Sequence, residues 1–180
     1  MPAYLVTSAI GVVQFAAICE AENAPANGVE VDLATANTVI GSGQPQNWVW
    51  TGTALEPVPP TLPQAQAQQI NLLRQAYNAA IQTPVSYTSK GGVTKTYQAD
   101  PQSVANLTQM MLASQAAAAT PTGFYWVSLD NTQVPFAYAD MQGLAAAFGA
   151  QGAAAFQHLQ TLKAEVLAAT TVSGVQAINW

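Results

Sequence analysis

Charged side chains are scarce, with Asp, Glu, Lys and Arg making up 7% of the 180 residues, against roughly 25% in an ordinary soluble domain. Gln, Asn, Thr and Ser must therefore supply the polar surface, which suits a protein that associates with others. Only four residues are basic, Arg74, Lys90, Lys95 and Lys163, against nine acidic ones. No stretch gathers the cations that phosphate neutralisation requires, so nucleic acid is not expected as a partner. The single cysteine, Cys19, excludes an intrachain disulfide. With no histidine near it in the chain, it reads as a buried structural thiol in a reducing compartment rather than a nucleophile. No run reaches the ~20 predominantly apolar residues of a membrane helix. The apolar opening AYLVTSAIGVVQFAAIC has no preceding basic residue and is interrupted by Thr, Ser, Gly and Gln, so neither a targeting role nor a membrane partner is expected.

Catalytic patterns are equally sparse. The one histidine, His158, has no acidic residue three or four positions away, and a metal site needs converging ligands, so a structural or surface role is expected. Asp130 is explained by an Asp-Asn turn and Asp140 by the first turn of a helix, where negative charge suits the dipole. Lys90-Gly91-Gly92 has neither the spacing nor the strand-to-helix context of a phosphate loop. G-x-S-x-G, paired C-x-x-C and the dinucleotide fingerprint are all missing. No catalytic, cofactor-binding or metal-binding residue is expected, and the chain does not read as an enzyme.

Half of the residues are hydrophobic, enough to build a core, and their pattern predicts an α+β protein. Residues 1–56 read as a small β-rich module. AYLVT and GVVQFAAI form two strands, VEV a third, and Asp32 caps a two-turn helix that Gly41 ends. Trp48 and Trp50 share one face of a further strand, with Thr51-Gly52 turning the chain into the next. They either cover the small sheet or anchor a partner. PVPPTLP, residues 57–63, is a proline-rich linker.

Residues 64–180 read as a helical domain with two β-hairpins. A first helix carries Ile70, Leu73, Tyr77 and Ile81 on one stripe, opposite a face of Gln and Asn, and packs within its domain or against copies of itself. Residues 84–107 run a hairpin around Lys90-Gly91-Gly92 into a helix opened by Asp100-Pro101, with Tyr87 and Tyr97 as cross-strand partners. Val104, Leu107, Met111 and Leu112 form that helix's expected core stripe. FYWVSL and TQVPF make a second hairpin about Asp130-Asn131. Apolar residues then recur in steps of three or four from Met141 to Val166, a long helix that Gly149 and Gly152 bend or split. Thr170-Thr171 caps a final short helix.

Several segments carry a resemblance: SYTS, a turn, TYQAD and ANL, then FQHLQTLKAEV and the tail ATTVSGVQAINW. Over roughly residues 83–180 the chain resembles a C-terminal domain of uncharacterised biochemistry found in phage tail proteins, tail-fibre assembly and tail-fibre components among them. NWVWTGTALEPVPP is similar to the end of a small N-terminal module in such proteins, while KGGVTK at residues 90–95 departs from their loop of small residues. The resemblance implies no catalytic residue. It implies a chaperone-like protein that binds the distal part of a trimeric tail fibre and aids its folding and trimerisation in the host cytoplasm, with release after assembly and retention in the virion tail both left open. Trp48, Trp50, Tyr87 and Tyr97 are the expected contacts with the fibre. A permanent fibre or baseplate subunit used in host adsorption is the alternative, and a carbohydrate-binding receptor module a more distant one.

Overall fold

β-Branched and aromatic residues place Ala3–Thr7 and Val13–Ile18 in strands β1 and β2. In the computed structural model, which describes residues 1–180, β1 is the centre of an antiparallel sheet of order β2-β1-β3, with β3 at Gly28–Val31. β2 begins at Val13 rather than Gly11. Gly11 adopts φ +82° and Val12 bridges to Val49 instead, while a bulge between Val6 and Thr7 absorbs the offset. Asp32 caps α1 (Leu33–Ser42), accepting from the Thr35 amide at 2.8 Å. The helix does not stop at Gly41 as expected. It ends two residues later at Gly43, whose φ of +62° lets its amide donate to the Ile40 carbonyl at 3.1 Å.

β4 (Trp48–Trp50) and β5 (Leu55–Pro57) pair across a turn in which Gly52 has φ +99°. Leu5, Val13 and Val39 form the buried centre of this first unit, and Val31, Trp48, Trp50 and Leu55 close over it. Met1–Pro60 forms one compact unit and Thr61–Trp180 a second. Of the proline-rich stretch 57–63, Pro57 belongs to β5, and Leu62 and Pro63 already form the first turn of the next helix.

The second unit opens with α2 (Leu62–Ala80), whose Gln64 side chain accepts from the Thr61 amide at 2.8 Å. β6 (Val85–Thr88) and β7 (Thr94–Tyr97) form the first hairpin, turning through Gly92 at φ +78°. α3 (Pro101–Ser114) starts at Asp100, which accepts from the amides of Gln102 at 2.9 Å and Ser103 at 3.1 Å. β8 (Tyr125–Val127) and β9 (Gln133–Pro135) form the second hairpin, with Asn131 at φ +60° in its turn. α4 (Tyr138–Ala168) follows, and α5 (Val172–Gln176) closes on a cap in which Thr171 Oγ1 accepts from the Gly174 amide at 3.0 Å. Small antiparallel sheets and five helices make this an α+β fold.

α4 is one unbroken helix of 31 residues, so the split expected at Gly149 or Gly152 does not occur. Each glycine costs about 1 kcal/mol in propensity, while both ends of the helix are anchored in apolar clusters whose side chains each contribute roughly 1.5–3 kcal/mol on burial. Toward its start, Met141 and Leu144 pack with Tyr97, Leu107, Val134 and Phe136. Toward its end, Leu159, Leu162 and Val166 pack with Ala65, Leu73 and Val175. Two expected faces need correction. On α3, Leu107 is buried but Leu112 is 66% exposed, because only one side of that helix meets α4. On α2, Gln69 lies inside rather than on the polar face: its Nε2 donates to the Ile178 carbonyl at 2.6 Å, which gives a tail carbonyl its donor.

Candidate functional site

The first hairpin is fastened to the start of α4 by one carboxylate. Asp140 is 2% exposed and each of its oxygens is used. Oδ1 accepts from the Lys90 amide at 2.6 Å and the Tyr87 hydroxyl at 3.4 Å, and Oδ2 accepts from the Ala137 amide at 2.8 Å. The Ala137 bond is the return half of a capping box; the other two reach about fifty residues along the chain. A carboxylate acceptor makes a short amide bond worth roughly 1.5–3 kcal/mol, so the two amide bonds, more than the long Tyr87 contact, make Asp140 a structural hub.

Tyr87, Tyr97 and Phe136 pack edge to face or tilted, with ring centroids 5.4–6.4 Å apart. The two tyrosines lie on the same hairpin face but are diagonal, not directly opposed: Tyr87 faces Lys95 and Tyr97 faces Val85. Burial raises the pKa of both hydroxyls, and the Asp140 charge adds to the shift. Tyr97 is fully buried and its hydroxyl has no hydrogen-bond partner. It therefore offers no surface to a fibre, which corrects the expectation for that residue. Tyr87 is half-buried and engaged with Asp140.

Trp48 and Trp50 are half-buried against the core of the first unit. Trp48 Nε1 also donates to Ser42 Oγ at 3.2 Å. These packed faces do what the sheet-covering reading requires. Cys19 is half-buried rather than buried, with its thiol donating to the Asn23 carbonyl at 3.4 Å. His158 lies on the exposed side of α4, edge-on to Trp180 at 4.7 Å. Asp130 accepts from Ser128 Oγ and the Thr132 amide, as a turn residue should, and also pairs with Lys95 Nζ at 2.6 Å. Lys95, followed by the hydroxyls of Ser128 and Thr132, holds its carboxyl well below the usual carboxylate range. No three His, Cys, Asp or Glu side chains are grouped to hold a metal ion. No helix is long and apolar enough to cross a membrane.

An apolar concave surface lies where the two clusters on α4 part. Tyr77 of α2 and Ile81 just beyond its end stand on one side, Val104, Leu107 and Thr108 of α3 on the other, and Phe148, Gly149 and Gly152 of α4 form the floor. The groove encloses about 640 Å³ and no charged side chain lines it. At Gly149 and Gly152 a Cβ would meet nothing within 4 Å, so the glycines open space instead of relieving a contact. Gln151 braces one wall, its Nε2 donating to the carbonyls of Ala80 at 2.7 Å and Thr83 at 2.9 Å. An apolar groove of this volume with a few polar groups at its margin is the usual form of a binding site. Sequence reasoning missed both the groove and the Asp140 hub. The place of Asp140 in the first turn of a helix was legible from sequence; its bonds to the Ala137 and Lys90 amides were not, since Ala137 carries no capping side chain and Lys90 is fifty residues away.

No curated protein and no solved structure matches the chain. Residues 64–179 match the model of a domain of unknown function, DUF4376. That span covers nearly all of the compact unit Thr61–Trp180, with its groove, both hairpins and the Asp140 hub, so the chain belongs to the DUF4376 family.

Proposed function

We propose that the chain is a non-enzymatic binding protein of phage tail-fibre assembly, which holds an uncharged apolar segment of the distal fibre while the fibre folds and trimerises. One observation carries this reading: the groove between α2, α3 and α4 is open, apolar and free of charge. A segment bearing charge would lose hydration there without gaining a partner, whereas an apolar one gains about 25 cal/mol per Å² buried. Fibre chains associate over long sequence distances, and slow non-local association leaves apolar surface and strand edges exposed until it is complete. A charge-poor protein with an apolar groove suits the covering of such surface. The resemblance of residues 83–180 to phage tail proteins supplies the partner class.

The test is coexpression of the cognate fibre with the chain, with Gly152→Leu, which fills the groove floor, and alone. Soluble trimer should be several-fold more abundant with the unmodified chain than in the other two. Equal yields in all three would defeat the proposal.

A further inference from the structure

The groove leaves a second feature unused, the facing edges of the two hairpins. In the second hairpin the Ser128 amide donates to Thr132 and the Phe136 amide to Phe124. Ladder bonds of an antiparallel pair alternate, so the Phe124 carbonyl, the Trp126 amide and carbonyl and the Ser128 amide face the partner strand, while the Phe124 amide donates to Pro121. Tyr125 and Val127 sit at the non-bonded positions, opposite Pro135 and Gln133, and aim theirs away from β9. The same alternation in the first hairpin, set by the Ser89 amide donating to Val93, turns Thr94 and Thr96 outward from β7. These two outward rows approach each other once, where the Leu129 amide donates to the Thr96 carbonyl at 2.8 Å, beside the Lys95–Asp130 ion pair at 2.6 Å. Beyond that staple the edges part. A cavity of about 310 Å³ opens between Gln98 and Phe124–Val127, with Ser103 and Asn106 of α3 against it and no charged side chain on its lining.

We infer that this cleft is a strand-acceptor site: an extended, uncharged segment of another polypeptide adds to the free edge of β8, taking the outward amides and carbonyls of Tyr125 and Val127. Backbone hydrogen bonding supplies the affinity in such strand addition, and alternate side chains supply the choice of segment. Here one side chain in two meets Ser103, Asn106 and Gln98, which selects small polar residues such as Thr, Ser or Asn at those positions. The lining offers no charge to pair with, which excludes acidic or basic residues there. The exposed side chains of Tyr125 and Val127 supply apolar contact on the other face of the added strand. Native folds keep free edges short because they invite such pairing, and β8 has three residues. Binding is accordingly weak and is observable at high local concentration.

The test therefore tethers the strand. A seven-residue segment alternating Thr and Val is joined after Trp180 of the full chain through about thirty Gly and Ser residues, a coil reach of roughly 30 Å that brings its local concentration to the millimolar range. Amide hydrogen exchange is then read residue by residue. The amides of Tyr125 and Val127 should exchange about tenfold more slowly than in the unmodified chain. Both should stay fast when the tethered segment carries proline at alternate positions, and the Tyr125 amide should stay fast when Val127→Pro removes the neighbouring outward donor without removing a bond to β9. Exchange unchanged by the tether overturns the inference. So does slow exchange at both amides in the unmodified chain, either as a monomer, where the edge is already covered, or only as a dimer, where a second copy occupies it. Because the tethered strand is artificial, failure here leaves the fibre-binding proposal standing, and failure of the coexpression test leaves this one standing.

Discussion

The most telling single atom is the Tyr97 hydroxyl, buried without a partner in a cluster otherwise well satisfied. An unpaired buried hydroxyl costs roughly 1–3 kcal/mol in lost hydration. Tyr97→Phe keeps the ring against Phe136 and removes that cost, so it should raise the unfolding free energy in urea by about 1 kcal/mol. Tyr87→Phe serves as the contrast, since it removes a bond to Asp140 and should not stabilise. The alkaline limb gives an independent reading. The Tyr97 pKa is raised above its ordinary value of 10.0, chiefly by burial. Its contribution is thus fully present below pH 10 and is lost as pH rises through the higher folded value. Tyr97→Phe should flatten the loss of stability above pH 10 without abolishing it, because Tyr4 and Tyr87 are shifted the same way. No gain in urea and an unchanged alkaline limb together would show that the hydroxyl is satisfied after all.

Among the elements, α4 shows what could and could not be read from sequence. Its start, its apolar stripe and the place of Asp140 in its first turn follow from local spacing, and so do the Asp32 and Asp100 caps and the positions of both hairpins. Its continuity through Gly149 and Gly152 does not, because propensity sees each glycine as a break while the packing that overrides it comes from α2 and α3. The inward turn of Gln69 and the outward turn of Leu112 are likewise decided by neighbours distant in sequence. Three glycines of this one helix now separate into two kinds. A Cβ on Gly143 would lie 2.7 Å from ring atoms of Tyr87, whose ring is held by Tyr97 and Phe136. Gly143→Ala should therefore destabilise by about 1–3 kcal/mol despite alanine's better propensity. Gly149→Ala and Gly152→Ala enter open space and should each stabilise by roughly 0.5–1 kcal/mol. Thermal melts of the three variants check this, and a common sign for all three would refute the distinction.

For the molecule as a whole, size decides which part stands alone. Met1–Pro60 and Thr61–Trp180 each have their own core, but the buried cluster of the first is small, Leu5, Val13 and Val39. A unit of about 60 residues buries only about 60% of the surface its unfolded chain exposes, and the proportion rises with length. The second unit has two clusters joined along α4, and the family match at residues 64–179 falls almost wholly on it. The division between the units falls among Pro57, Pro59, Pro60 and Pro63, where paired prolines cannot continue a flanking ladder or helix. Where the two clusters separate could not be read, because nothing local marks the floor of the groove as empty. Expressed as Thr61–Trp180, the second unit should unfold cooperatively and keep the slow amide exchange of α4 that it shows in the full chain. Met1–Pro60 expressed alone should be marginal, with little protection outside β1. If the longer fragment instead loses protection throughout α4, its stability depends on residues 1–60, and both the groove and the β8 edge must then be tested only in the full chain.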